Sequence, residues 1–257
     1  MMIKTLVKSM LAKYGFEVKR TGFDERDRYS TRFNLDMEFE EELDRETRKV
    51  LNLLHYTKGS GTAYNASRFD SAYHSITIDG KDFAGQRKPE KRLADVPYDF
   101  TDKVVLDIGC NQGGMLFCIA DKIRQGIGVD YDARMINAAN RLGTTLKTNN
   151  IHFYVFNLLT ERLDIIDNFL PENQVKVDIV FLLSVCLWLN NWRDVIDKAS
   201  SLADCLLFES NGTEDQQRDQ REHLVKTYKE VQRIRDTSPD DPINTSRELY
   251  LCNDVRV

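Results

Sequence analysis

The chain has 257 residues, 41% of them apolar and 30% charged, and its 36 Lys and Arg against 41 Asp and Glu give a formal charge of −5. That size suits one α/β domain with an accessory segment, and the acidic balance argues against broad, charge-driven nucleic-acid binding while leaving room for a local basic groove. No run reaches the length of a membrane span, and five cysteines without a CxxC pair read as reduced core residues of a cytoplasmic protein rather than as zinc ligands or disulfides.

At the N-terminus Ile3, Leu6, Val7, Met10, Leu11 and Tyr14 recur at helical spacing. Lys4, Lys8 and Lys13 interrupt them, which excludes a signal peptide and suggests a helix docked on its own protein rather than on a membrane surface. A charged stretch over 23–33 and a second helix over 40–56 follow, then glycine and polar residues through Gly61 and Asn65. Residues 1–95 are expected to form a helical cap or lid segment, and residues 96–257 a separate ligand-binding domain.

From Tyr98 the pattern alternates between strand and helix. Strands are expected over 103–107, 126–130, 151–156, 177–183 and 203–208, and helices over 113–124, 133–147, 191–202 and 214–229. Strands separated by helices pair in parallel through right-handed crossovers. Two last strands, 231–235 and 248–252, have no helix between them and suit an antiparallel hairpin at the sheet edge, with Pro239 and Pro242 in the connection. The expected fold is α/β, a doubly wound, mostly parallel Rossmann-like sheet with a C-terminal antiparallel hairpin and an N-terminal helical cap.

The run Val104-Val105-Leu106-Asp107-Ile108 breaks into Gly109-Cys110-Asn111-Gln112-Gly113-Gly114 and restarts as a helix, while Gly126-Ile127-Gly128-Val129 ends in Asp130, 23 residues after Asp107. In a doubly wound sheet, ligands bind beyond the carboxyl ends of the strands where strand order reverses. Gly109 allows close backbone approach and Gly113 opens the helix without a side chain. A carboxylate at Asp130 can accept both hydrogens of a ribose diol. The pattern is Asp-x-Gly-x-x-x-Gly, not the G-x-G-x-x-G that seats a pyrophosphate. Asp107 would repel a pyrophosphate and attract an ammonium or a sulfonium, which points to S-adenosylmethionine. Taken singly, Asp107 is also explained as a helix cap, Gly109 as a turn glycine and Asp130 as a solvated strand end.

Residues 104–113 resemble the first motif of class I S-adenosylmethionine-dependent methyltransferases, and the likeness runs over about 98–252. The resemblance implies that Asp107 and the turn Gly109, Asn111 and Gly113 surround the methionine portion, that Asp130 holds the ribose and that Tyr131 packs on adenine. It places Asn157 at the adenine amine with Leu158 beside it, and the segment from Ser184 to Leu189 along the transferred methyl. Asn157 stands where many members have Asp, and Asn111 where many have glycine; Asn tolerates left-handed backbone. Gly85-Gln86-Arg87 together with Ser184 to Trp188 is similar to two subgroups, enzymes that terminate bacterial O-antigen chains and tRNA wobble-uridine carboxymethyl-transfer enzymes.

Methyl transfer needs alignment of the acceptor, exclusion of water and, for some acceptors, removal of a proton. His74, in the segment ahead of the fold, and Glu209, at the end of the fifth strand, are the candidate catalytic residues. Arg87 can pair with the cofactor carboxylate or with an anionic acceptor; the alternative is a surface loop whose Tyr73 and Ile76 pack on the sheet. Trp188 and Trp192, spaced i, i+4, are expected to fill core rather than stack on a ligand. A glycan, its terminal phosphate or a small metabolite is favoured as acceptor over RNA. A dinucleotide-dependent oxidoreductase and a non-catalytic cofactor-binding subunit are the rivals, and oligomeric state is not readable.

Overall fold

A computed structural model describes residues 44–59 and 68–256; the helix expected over 1–14 and the charged stretch over 23–33 lie outside the described residues. The first described helix, α1 (Arg45–Thr57), starts at Asp44, whose side chain accepts from the backbone N–H groups of Glu46 and Thr47. Its buried Val50, Leu51 and Leu54 meet Ile78 and Phe83 of a small hairpin, β1 (Ile76–Ile78) and β2 (Lys81–Phe83), and Ala138 and Leu142 of α4 (Ala133–Leu146). A short helix, α2 (Pro89–Leu93), leads into the main sheet.

That sheet has seven strands among the described residues, in the order β5-β4-β3-β6-β7-β9-β8. They are β3 (Val104–Ile108), β4 (Gln125–Asp130), β5 (Ile151–Val155), β6 (Ile179–Leu183), β7 (Cys205–Glu209), β8 (Tyr228–Arg235) and β9 (Leu249–Val255). Strands β3 to β7 pair in parallel, and β9 and β8 close the edge antiparallel, as the missing helix between them required. Outermost β8 exposes Lys229, Glu230, Gln232 and Arg233, charged and polar side chains that discourage pairing with another chain.

Side chains alternate across the sheet. Leu106, Ile108, Val180, Leu182, Leu206 and Phe208 meet α5 (Trp192–Leu202) and Leu224 of α6 (Glu214–Thr227) on one face. Val105, Ile179, Phe181 and Leu207 meet α3 (Gly114–Cys118), α4 and Leu93 on the other. Each such buried aliphatic side chain contributes about 1.5–3 kcal/mol relative to exposure. All five cysteines are free, and all but the half-buried Cys118 are buried. No described helix is long and apolar enough to cross a membrane.

Two local expectations fail. The helix expected over 113–124 is only Gly114–Cys118, because Ile119 leaves helical geometry at φ −119° and carries Ile119 and Ile123 into the core. Trp188 does not fill core: it is 70% exposed on a 3₁₀ turn, whereas Trp192 is half-buried against the core and meets His223 edge-on. The i, i+4 spacing shares a helix face only if one helix spans both residues, and here helix α5 begins at Trp192.

Candidate functional site: a cleft at the strand tips

Chain order reverses at β3, whose neighbours are β4 on one side and β6 on the other. The loop after β3 therefore lies where an open α/β sheet binds its ligand. Gly109, Asn111 and Gly113 take φ values of 81°, 52° and 77°, a left-handed series that bends the loop across the strand tips. A Cβ on Gly113 would lie 2.3 Å from the Phe153 ring, and one on Gly109 would lie 2.5 Å from Val185 Cγ2. The cleft loop is thus packed directly against β5 on one side and the turn after β6 on the other.

The two acids meet at this loop. Asp130 is 8% exposed; its Oδ2 accepts from the Asn111 N–H and its Oδ1 from the Asp132 N–H, both at 2.9 Å. Asp107 is 2% exposed, and its Oδ2 has no hydrogen-bond partner among the described residues. A buried carboxylate oxygen without a donor is exceptional and costly, so the site is built to receive one. Burial pushes Asp107 up to about 7, with Asp130 adding to the rise and Arg92 opposing it. Burial also raises Asp130 to about 6, against the pull of the N–H groups of Asp132 and Asn111. Neighbouring Cys110 is raised well above a normal thiol by burial and both acids, and is no nucleophile.

The segment ahead of the fold is not a surface loop. His74 pairs with Arg87 as an isolated bridge, and Ser71, His74, Gln86 and Arg87 are all buried. Gly85 is required there, because a Cβ would lie 2.2 Å from the His74 carbonyl carbon. Gln112 joins this strap to the cleft loop: its Oε1 accepts from the Tyr73 and His74 N–H groups, and its Nε2 donates to Thr57. His74 packs on Gly114 and accepts that residue's N–H at Nδ1, so its proton sits on Nε2, which has no partner among the described residues. Burial, then Arg92 and Arg87, lowers its pKa well below the usual histidine value, so the ring is neutral and offers a hydrogen rather than a lone pair.

Two expected roles do not fit their surroundings. Arg87 does not reach toward a cofactor carboxylate: fully buried, it donates to Glu209 at 2.8 Å and to Asp240 at 2.6 Å. Glu209 is no general base, for its oxygens accept from Arg87, from Arg92 at 2.5 Å, from Ser238 at 3.1 Å and from the Ser184 hydroxyl. Burial would raise its pKa, but Arg92 and Arg87 outweigh that and hold it below the carboxylate range.

Sequence reading missed Arg92, Asp240, Asp241 and Arg247, which complete this cluster. Asp241 accepts from Gln86 at 3.2 Å and pairs with Arg247 at 3.4 Å, while Arg247 also donates to Ser184 Oγ at 3.2 Å. Pro239 and Pro242 marked the loop between β8 and β9, but no local signal showed that it folds back to the cleft. Ser184, at φ 63°, follows β6 and lies inside the cluster. On the far side of the cleft Tyr131 is 58% exposed, Leu158 is buried, and Asn157 Oδ1 accepts from the Leu159 N–H.

A family model described as "methyltransferase domain" matches residues 106–205. Residues 106–205 form a methyltransferase domain. The stretch begins inside β3, at Leu106, ends at Cys205 and contains the cleft loop, Asp130 and Ser184. The chain is 29% identical over 128 residues to the U6 snRNA methylphosphate capping enzyme Amus of Drosophila melanogaster; the match covers 43% of this chain and spans 41% of the relative's length. In fold, the methyltransferase domain and its flanks are similar to the N-terminal domain of EvdMO1, whose crystal structure was obtained in the presence of SAH and D-fucose: the TM-score is 0.55, identity 9%, and coverage 76% of this chain and 94% of that one. The bifunctional kinase-methyltransferase WbdD aligns with TM-score 0.54 and 19% identity, over 72% of this chain and 44% of that one.

S-adenosylmethionine is the cofactor of such a domain, and the cleft fits it. Asp107 offers a buried carboxylate oxygen without a partner to a cationic group, at the foot of the loop that Gly109 and Gly113 bend across the strand tips. Among the described residues no cluster of His, Cys, Asp and Glu suits a metal ion.

Proposed function

We propose that the protein transfers a methyl group from S-adenosylmethionine to an oxygen of a glycan, its terminal phosphate or a small metabolite. The observation that carries this reading is the pair of buried acids, Asp107 and Asp130, set on adjoining strand tips around a glycine loop, with one oxygen of Asp107 lacking a partner. The cofactor supplies a methyl carbon already activated by a positive sulfur. Asp107 then neutralises the amino or sulfonium charge, Asp130 accepts the ribose hydroxyls through its remaining lone pairs, and Tyr131 covers the adenine, with Asn157 and Leu158 at the ring edge. Gly109, Asn111 and Gly113 shape the loop, and Ser184 borders the methyl group. Arg87 and Glu209 hold the cluster beneath the acceptor and touch neither reactant. His74 donates its Nε2 hydrogen to the bound pair, so an acceptor here reacts as an oxyanion or loses its proton to water.

In this reading residues 1–95 are the cap of a domain spanning 96–257, and the five free cysteines support a reducing, cytoplasmic compartment. The Drosophila relative, a capping enzyme of an snRNA, favours a second acceptor, an RNA terminal phosphate. The net charge of −5 weighs against it, since a long polyanion needs a basic track. Isothermal titration with S-adenosylmethionine and S-adenosylhomocysteine tests the reading: folded wild-type protein that binds neither would overturn it.

A further inference from the structure

The tips of the parallel strands lie in the order β5, β4, β3, β6, β7, spaced by about 4.8 Å. Tyr131 follows β4, Gly109 follows β3 and Ser184 follows β6. A ligand lying over β4 and β3 with its adenine at Tyr131 therefore ends beside the turn after β6, and that turn presses Val185 onto Gly109.

The same turn is rigid. Asn211, 3% exposed, accepts the Leu187 N–H at 2.8 Å and donates to the Ser184 carbonyl at 2.6 Å. Gln220 in turn accepts the Asn211 N–H and donates to its carbonyl. Trp188 N–H closes the 3₁₀ turn on the Val185 carbonyl. Yet this pinned turn presents Trp188 at 70% exposure and Leu187 at 38%. An indole carried on a pinned backbone into water forgoes the burial free energy of a large aromatic, which is what a binding platform requires.

Arg247 reaches the start of this turn, where it donates to Ser184 Oγ at 3.2 Å, and its side chain is 17% exposed while those of Arg87 and Arg92 are at 0% and 2%. Arg247 uses Nη1 toward Ser184, Asp241 and, at 3.8 Å, Glu209; its Nη2 and Nε have no partner among the described residues. One ring and the two unengaged nitrogens of one guanidinium suit a compact unit. A polynucleotide would need further stacking rings and a basic track, and the exposed residues that flank Trp188 in the turn are Leu187 and Asn190.

We propose that Trp188 is the stacking platform for a sugar ring of the methyl acceptor, and that Arg247 binds an oxyanion carried by that sugar. This rests on the methyltransferase reading, and the test separates the two. Protein is first titrated with S-adenosylhomocysteine by calorimetry, and the loaded sample is then titrated with glucose 1-phosphate, glucuronate, glucose, inorganic phosphate and uridine monophosphate. A Trp192→Phe variant leaves Trp188 as the sole indole, so its fluorescence reports contact directly. Saturable emission change with glucose 1-phosphate or glucuronate, weaker with glucose and absent with phosphate, is expected; which of the two anionic sugars binds tells phosphate from carboxylate. Trp188→Ala should weaken the anionic sugar by about tenfold, with S-adenosylhomocysteine affinity unchanged. Arg247→Gln should reduce the anionic sugar to the affinity of glucose. Sugar affinity unaltered by Trp188→Ala, no saturable response to any sugar, or binding of uridine monophosphate alone would overturn the assignment. No heat with S-adenosylhomocysteine would instead refute the cofactor reading along with it.

Discussion

Cofactor affinity should fall as pH is lowered from 8 to 6, and Asp107 should be the cause. Its carboxyl is pushed up to about 7 by burial and by Asp130, with Arg92 only partly compensating. A cationic amino or sulfonium group favours the ionised form, so binding at low pH first requires a proton to leave. The competent fraction of Asp107 drops from about nine-tenths at pH 8 to about one-tenth at pH 6, which weakens apparent affinity by about tenfold, or ~1.4 kcal/mol. Asp130, raised to about 6, is half protonated at the lower limit and adds about a further factor of two. Calorimetry with S-adenosylhomocysteine in two buffers of different ionisation heat would measure both the affinity and the proton released. Asp107→Asn should bind weakly at every pH and lose most of the slope. The free protein should show the converse. Both carboxyls have folded values above their unfolded ones, so the native state binds more protons and this pair lowers stability as pH rises from about 4 to 7. The ligand-induced rise in Tm should therefore be larger at pH 8 than at pH 6. A flat affinity profile in the wild type, with Asp107→Asn equal to it, would refute the reasoning.

Other perturbations separate binding from folding. Asp130→Ala should weaken cofactor binding by about 1–3 kcal/mol in the same titration, the loss expected for a charge-assisted partner. Glu209→Gln takes from Arg92 its carboxylate partner and leaves Arg87 and Arg247 to Asp240 and Asp241, and should cost about 3–5 kcal/mol of stability in a urea unfolding curve. Because Glu209 titrates below its unfolded value, that contribution is present at neutral pH and disappears as the solution is acidified below about pH 4. Gly113→Ala places a Cβ 2.3 Å from the Phe153 ring at φ 77°, so a loss of about 1–3 kcal/mol in thermal unfolding is expected, with cofactor affinity reduced in the protein that remains folded.

The sheet could be read from local pattern because its causes are local. Each parallel strand of 5 or 6 residues is a largely apolar run that ends in a turn signal, and the strand after β8 lacks the helix that a parallel return requires. The acid-and-glycine motif was equally readable: left-handed backbone at Gly109 and Gly113 is a property of those residues, and Asp107 and Asp130 end runs that can only be buried strands. Arg87 and Glu209 were visible as residues but not as partners. They are separated by 122 positions, and the loop that brings Asp240 to Arg87 lies 153 positions away. No periodicity encodes such a meeting. It comes from the strap packing across the strand tips and from the antiparallel hairpin turning its connection inward, where buried guanidinium groups must find carboxylates. Trp188 likewise has the composition of a core residue and the position of a surface one, because the exposure of a side chain is settled by what the folded chain brings against it.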